Sequence, residues 1–189
     1  MKNKVGKSVM EKISSEFPVT VNYAETIEEM VGKNKFDRVN PNINQYNFPH
    51  NRRDGIQKIT IKLIRLNLGR GENMVAEHVC FAINQLDKRG FRPANLPELL
   101  AIDKEYSKEY SKKFNVTPVV GFDPTHGSLD GNPYGIYFVT EKLHELRLMW
   151  GVFDKYEEYL IAVVLKKHGE PCILDLVEDE RCSDLLDDD

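Results

Sequence analysis

Residues 18–23, PVTVNY, set Val19, Val21 and Tyr23 against Thr20 and Asn22, the period-two alternation of a half-buried strand. The spacing then lengthens. Thr26 and Glu29 form a capping box ahead of Ile27, Met30 and Val31, which predicts a two-turn helix stopping at Gly32. Residues 40–55, NPNINQYNFPHNRRDG, have no apolar period and read as a loop, because asparagine side chains bond their own backbone and tolerate left-handed geometry.

Residues 56–69, IQKITIKLIRLNLG, carry the strongest strand pattern. Ile59, Ile61 and Leu63 share one parity and Ile64, Leu66 and Leu68 the other, so the apolar face switches after Leu63, as a bulge or a move between two packing surfaces requires. Val75, Val79, Ile83 and Leu86 recur at helical spacing, with Lys88 and Arg89 at the negative end of the dipole and Gly90 as the stop. Asn95 and Glu98 cap a second helix striped by Leu99, Ile102, Tyr106 and Tyr110, joined to the first by GFRPAN. VTPVVGF, GIYFV, HELRLMW and YLIAVVLKK read as strands; the last is nearly continuous in apolar residues and so suits the centre of a sheet. CILDLV, after Gly169, adds a small strand or docking segment.

Helices grouped together and strands clustered on short connections predict an α+β fold: a single domain, a largely antiparallel sheet and two adjacent helices. The regular alternation of a nucleotide-binding α/β fold is missing, and no internal repeat is visible. The domain is placed at 17–168, between a basic segment at 1–16 and an acidic tail at 169–189.

The 189 residues, 41% hydrophobic, suffice for one domain with a sizeable core. The formal charge of -4 conceals an asymmetry, since EDERCSDLLDDD at the C-terminus holds seven acids and one arginine and the remainder carries about +2. A nearly neutral body speaks against a nucleic-acid footprint over the whole surface. The acidic tail could mimic nucleic acid or cover the basic N-terminal segment. That segment lacks the apolar core of a signal peptide, no run approaches the roughly 18 apolar residues of a membrane span, and Cys80, Cys172 and Cys182 form no CxxC pair. These features predict a cytoplasmic protein without a membrane partner.

GxxxxGK[ST], GxGxxG, HExxH and GxSxG are all absent from the sequence. GRGEN, 69–73, is a tight turn in which two glycines alone do not define an anion site. Of the histidines, His50, His78, His126, His144 and His168, the best catalytic candidate is His126 in GFDPTHGSLDGNPYG, where Asp123 would orient it and Ser128 or a water would be its target. Neighbours in one loop seldom reach triad geometry, and Asp123, Asp130 and Asn132 lack the spacing of an EF-hand loop. The Asp-Pro, Asp-Gly and Asn-Pro breakers instead make 121–135 a long exposed connection, with Asp123, His126, Asp130, Asn132 and Tyr134 as a binding surface. Arg52, Arg53, Lys58, Lys62 and Arg65 form a candidate basic patch, or else a solvated face.

The NFP segment at 47–49, GFRPANLPELLA at 90–101 and the closing YLIAVVLKK resemble an uncharacterised family of small bacterial proteins, over roughly 17–167. The resemblance implies no activity, and the 121–135 loop is richer in Asp, Gly and Pro than the short turn expected there. FRPANLPELLAI followed by strands is similar to C-type-lectin-like and sulfatase-modifying-factor-like domains. Their calcium-binding and active-site motifs are missing, so this implies a fold alone.

The leading expectation is therefore a non-enzymatic interaction module that binds a protein or other macromolecule through surface loops such as 123–135 and 40–55, with no metal and no cofactor assigned. Two alternatives stay open: a hydrolase or metal-dependent enzyme using His126 and Asp123, and a nucleic-acid-binding protein using the basic patch.

Overall fold

The computed structural model describes residues 10–67, 82–114, 118–122, 135–140, 143–149 and 158–172. In chain order the elements are β1 (Met10–Asn22), α1 (Ile27–Lys33), β2 (Arg38–Val39), a 3-10 turn (Arg52–Asp54), β3 (Ile56–Asn67), α2 (described over 82–87), β4 (Phe91–Pro93), α3 (Leu96–Phe114), β5 (Val119–Phe122), β6 (Gly135–Thr140), β7 (His144–Met149) and β8 (Glu158–Leu165). The class is α+β. One mixed sheet runs β1-β3-β8-β5-β6-β7-β2, with β4 also on β8. Its pairs are antiparallel except β5 with β8 and β2 with β7.

β8 is the centre, and its composition explains why. Leu160, Ala162 and Val164 face a core built with α1 and α3, through Ile27, Leu96, Leu99 and Ile102. Tyr159, Ile161 and Val163 face the opposite core, against Ala82, Ile83 and Leu86 of α2. A strand covered on both faces has no solvent side, so the six side chains are apolar in succession, the Leu, Ile and Val among them each worth about 1.5–3 kcal/mol over leaving it in water. The same two layers account for the parity switch in β3: Ile61 and Leu63 join the first core, and Ile64 packs on the second.

Several local expectations shift. β1 begins at Met10, so 10–16 belong to the sheet rather than to a separate basic lead. α1 passes through Gly32 and ends at the Asn34 cap, although its Thr26–Glu29 capping box is present. GFRPAN holds strand β4, not a bare link between helices. Gly90 has the expected left-handed backbone, φ 76°. The asparagine-rich loop is packed: Ile43 and Phe48 are buried, while Asn40, Asn44 and Asn47 hydrogen-bond neighbouring backbone. The expected strand at CILDLV lies, beyond Cys172, outside the described residues.

An edge strand as long as β1 offers its outer backbone to any other strand. Here that row is blocked around Pro18, which has no N–H to offer and whose carbonyl accepts from Tyr106 Oη at 2.8 Å. The Thr20 amide donates to Glu105 Oε1 at 3.2 Å, so α3 covers this part of the edge.

β5 and β4 share one side of β8, and the join is made by Ala94. Its N–H donates to Ala162 O at 2.7 Å and its carbonyl accepts from Phe122 N at 3.0 Å. A Cβ on Gly121 would stand 2.6 Å from that carbonyl. Gly121→Ala should therefore cost about 1–3 kcal/mol in urea denaturation, the range for overpacked sites. Gly32→Ala, with nothing within 4 Å, should instead stabilise α1 by up to about 1 kcal/mol; equal effects would contradict the close-approach argument.

Candidate functional site

β3 and β8 part company at one end of the sheet. Their ladder stops at Ile61 and Val164, β8 ends at Leu165, and the chain turns at 167–170 with Glu170 N donating to Lys167 O. A cleft of about 390 Å³ opens there, between Gln57 and Ile59 on one side and Val164, Leu165 and Lys167 on the other, with Tyr23, Arg92 and Glu98 at its base.

The base is a closed polar network. Glu98, in the first turn of α3, is fully buried, and a carboxylate without water needs donors from the protein. It has four. Arg92 of β4 reaches it in a bidentate fork, Nη1 to Oε2 and Nη2 to Oε1, both at 2.7 Å. Tyr23 Oη donates to Oε1 at 2.9 Å and Asn95 N to Oε2 at 2.9 Å. Asn95 Oδ1 in turn accepts from Glu98 N, completing the expected cap. Burial first, and the charge of Glu98 second, push the Tyr23 hydroxyl far above the usual phenol range, so it remains a proton donor to Glu98. For Arg92, burial opposes the charge, but the hydrogen bonds and charge of Glu98, with Glu170, outweigh it and hold the guanidinium protonated. Such a network fixes geometry.

Glu170 closes the outer side. Its Oε1 lies 2.6 Å from Arg92 Nε, and its Oε2 accepts from Lys167 N at 2.8 Å. The contact with Nε is ionic and off the hydrogen-bond direction, since that N–H has no aligned partner among the described residues.

The cleft also exposes strand backbone. Tyr23 N donates to Gly55 O at 2.8 Å, and in an antiparallel ladder successive residues turn their N–H and C=O to opposite sides. Gln57 and Ile59 thus bond towards β1, while Ile56 and Lys58 turn theirs towards the cleft side, where β8 no longer runs alongside. Two apolar side chains stand by this edge, Ile56 at 70% exposure and Leu165 at 67%.

A second ionisable cluster joins α3 to β7. His144 Nε2 lies 2.9 Å from Asp103 Oδ1, with Asp103 fully buried. The His144 amide donates to Asp37 Oδ2 at 2.7 Å, and the Phe36 ring lies 4.4 Å from the imidazole. His50 is likewise structural, its Nε2 donating to Tyr23 O and Glu25 O.

The candidates read from sequence separate accordingly. Asp123, His126, Ser128, Asp130, Asn132 and Tyr134 lie outside the described residues, as do His78, Cys80 and Cys182. The basic patch does not converge. Arg52 holds Ala24 O with Nε and Nη2, Lys62 pairs with Glu16 at 2.9 Å and stacks over Phe91, and Arg65 has the parity opposite to Lys58 and Lys62. Sequence reasoning placed Tyr23 only on the apolar face of a strand, saw Glu98 only as a cap, and gave Arg92 and Glu170 no role. The usable signal was an acid on the core-facing side of an apolar helix: Glu98 and Asp103 flank Leu99 and Ile102.

No group of three or more metal-ligating side chains occurs among the described residues, and no helix there is long and apolar enough to cross a membrane. Comparison of the chain with protein-family models, curated proteins and solved structures finds no match, so neither the small-protein family nor the C-type-lectin-like arrangement gains support from that side.

The His144 cluster yields a pH dependence. Burial pulls its pKa down, but the Asp103 hydrogen bond and charge, Asp37 and the Lys35 backbone outweigh it, leaving the folded value above the ordinary 6.5. A raised folded pKa means protonation favours the fold: the contribution is complete below about 6.5 and is lost as pH rises through the folded value. Urea midpoints measured from pH 5 to 9 should show this decline in the wild-type protein and a shallower one in His144→Gln. Parallel curves would contradict it.

Proposed function

We propose that the protein is a non-enzymatic interaction module whose binding surface is the cleft between β3 and β8, and that its ligand is an extended segment of a partner protein added as a strand along Ile56–Thr60. The carrying observation is the contrast between two edges of the sheet. The β1 edge is blocked over Pro18–Thr20 by Pro18 itself, Tyr106 and Glu105, whereas the β3 edge keeps the backbone of Ile56 and Lys58 without a strand partner among the described residues. An extended peptide supplies main-chain bonds to such an edge and places alternate side chains in the adjoining pocket. It would follow the track that β8 leaves, antiparallel to β3, with room for about four or five residues at roughly 3.4 Å each.

The polar network favours binding over catalysis, because every oxygen of Glu98 is engaged and Tyr23 keeps its proton. The dispersed basic residues give nucleic acid no continuous track. The location proposed is cytoplasmic, in keeping with three cysteines that form no CxxC pair.

Lys58→Pro tests the mode of binding. It copies onto β3 the device that Pro18 provides on β1, removing an amide that turns away from the β1 ladder. With fluorescein-labelled pentapeptides of alternating Thr and Val read by anisotropy, affinity should fall at least about tenfold, the loss of roughly 1.4 kcal/mol, while Tm changes by a few degrees. Equal affinity for both proteins would sink the proposal.

A further inference from the structure

The same cleft contains a carboxylate that behaves as an internal stand-in for a ligand. We infer that the Arg92–Lys167 wall of the cleft is a carboxylate subsite, now occupied by Glu170 of the chain itself, which an aspartate, glutamate or C-terminal carboxylate of the bound segment displaces. This inference rests on the peptide-binding reading above and specifies what that peptide must carry.

Three features of the geometry support it. Both terminal nitrogens of Arg92 are committed inwards, to Glu98 and, from Nη1, to Pro93 O at 3.1 Å. Of the N–H groups left over, one on Nη2 and that of Nε, the latter already has a carboxylate against it. That carboxylate is not built in as Glu98 is. The Glu98 side chain is 1% exposed and takes four donors from three elements, whereas that of Glu170 is 28% exposed, lies on the turn after β8, and takes one directed bond, from Lys167 N.

Space is open beside the turn that carries Glu170. Gly169 within it has φ 78°, with nothing within 4 Å of its Cβ position. Lys167 is exposed and lines the cleft, so a carboxylate arriving along β3 meets a second cation before it reaches Arg92. Acidic ligands thus compete with an acid of the protein, while neutral ones must leave Glu170 in place. Carboxylate exchange on a partly desolvated guanidinium is nearly balanced in charge, so the contest is decided by the additional strand bonds that only the peptide brings.

The experiment compares wild type with Glu170→Gln, using labelled Thr/Val pentapeptides with Asp or Asn at each position in turn, and with free or amidated C-termini. Asp peptides, free-carboxylate peptides or both should bind the wild type at least fivefold more tightly than their neutral counterparts, and the preference should widen about fivefold in Glu170→Gln, where the internal competitor is gone. Whether Asp or the free terminus carries the effect tells the two carboxylate sources apart. Binding of Asp, Asn, free and amidated peptides alike would overturn the subsite and leave strand addition standing. A preference unchanged in Glu170→Gln would overturn the role of Glu170 as competitor. Failure of every peptide to bind either protein would overturn both readings together. Circular dichroism and Tm of Glu170→Gln establish that its fold is intact.

Discussion

Glu98 has no contact with water, and a buried carboxylate is tolerable only if the protein supplies what water would have supplied. The donors come from Tyr23 just past β1, from β4 and from the cap of α3, so one side chain ties the end of β1 to a β4–α3 unit 75 positions away. Arg92 depends on it in return. Without Glu98 its fork would face two empty positions in a site where the guanidinium is largely removed from solvent. The pair therefore holds β4 against α3, and β4 in turn holds Ala94 where it bridges β5 and β8.

The cleft follows from that arrangement. β4 occupies the far side of β8 at Val163–Leu165, and the chain leaves β8 towards Gly90, where Lys166 N donates to its carbonyl. β3, held by β1 on its other side, stays paired with β1 as far as Ile56. The two strands diverge, and the backbone of Ile56 and Lys58 is left facing a space whose wall is the outer surface of the Arg92 network. Structural rigidity and open binding surface are thus two sides of the same set of contacts. α3 covers part of the β1 edge, and a short stretch of β3 beside the pocket has no strand partner among the described residues.

Much of the architecture was legible in the sequence because it depends on short-range chemistry. The Thr26–Glu29 and Asn95–Glu98 boxes, the alternation of 18–23, the two-sided apolar run of β8 and the parity switch at Leu63–Ile64 each need only a few neighbouring residues. Gly32 was misread because a glycine near a helix end can lie within the last turn as well as after it. β4 was missed because three residues of GFRPAN carry no period; they are a strand only by virtue of β8. The cleft was illegible for a related reason: Tyr23, the Arg92–Glu98 stretch and Glu170 come from three separate segments, and only the sheet brings them together. The asparagine-rich loop was recognised as a loop, but its burial of Phe48 depends on partners that composition does not reveal.

The central claim is that β3 presents an open backbone edge between Gly55 and Ile61, and amide hydrogen exchange of the free protein measures this without any ligand. The account predicts alternation along a single strand: slow exchange at Gln57 and Ile59, whose amides bond to β1, and fast exchange at Ile56 and Lys58, whose amides face the cleft. Uniform protection of all four amides would mean that the edge is already covered, and would contradict it.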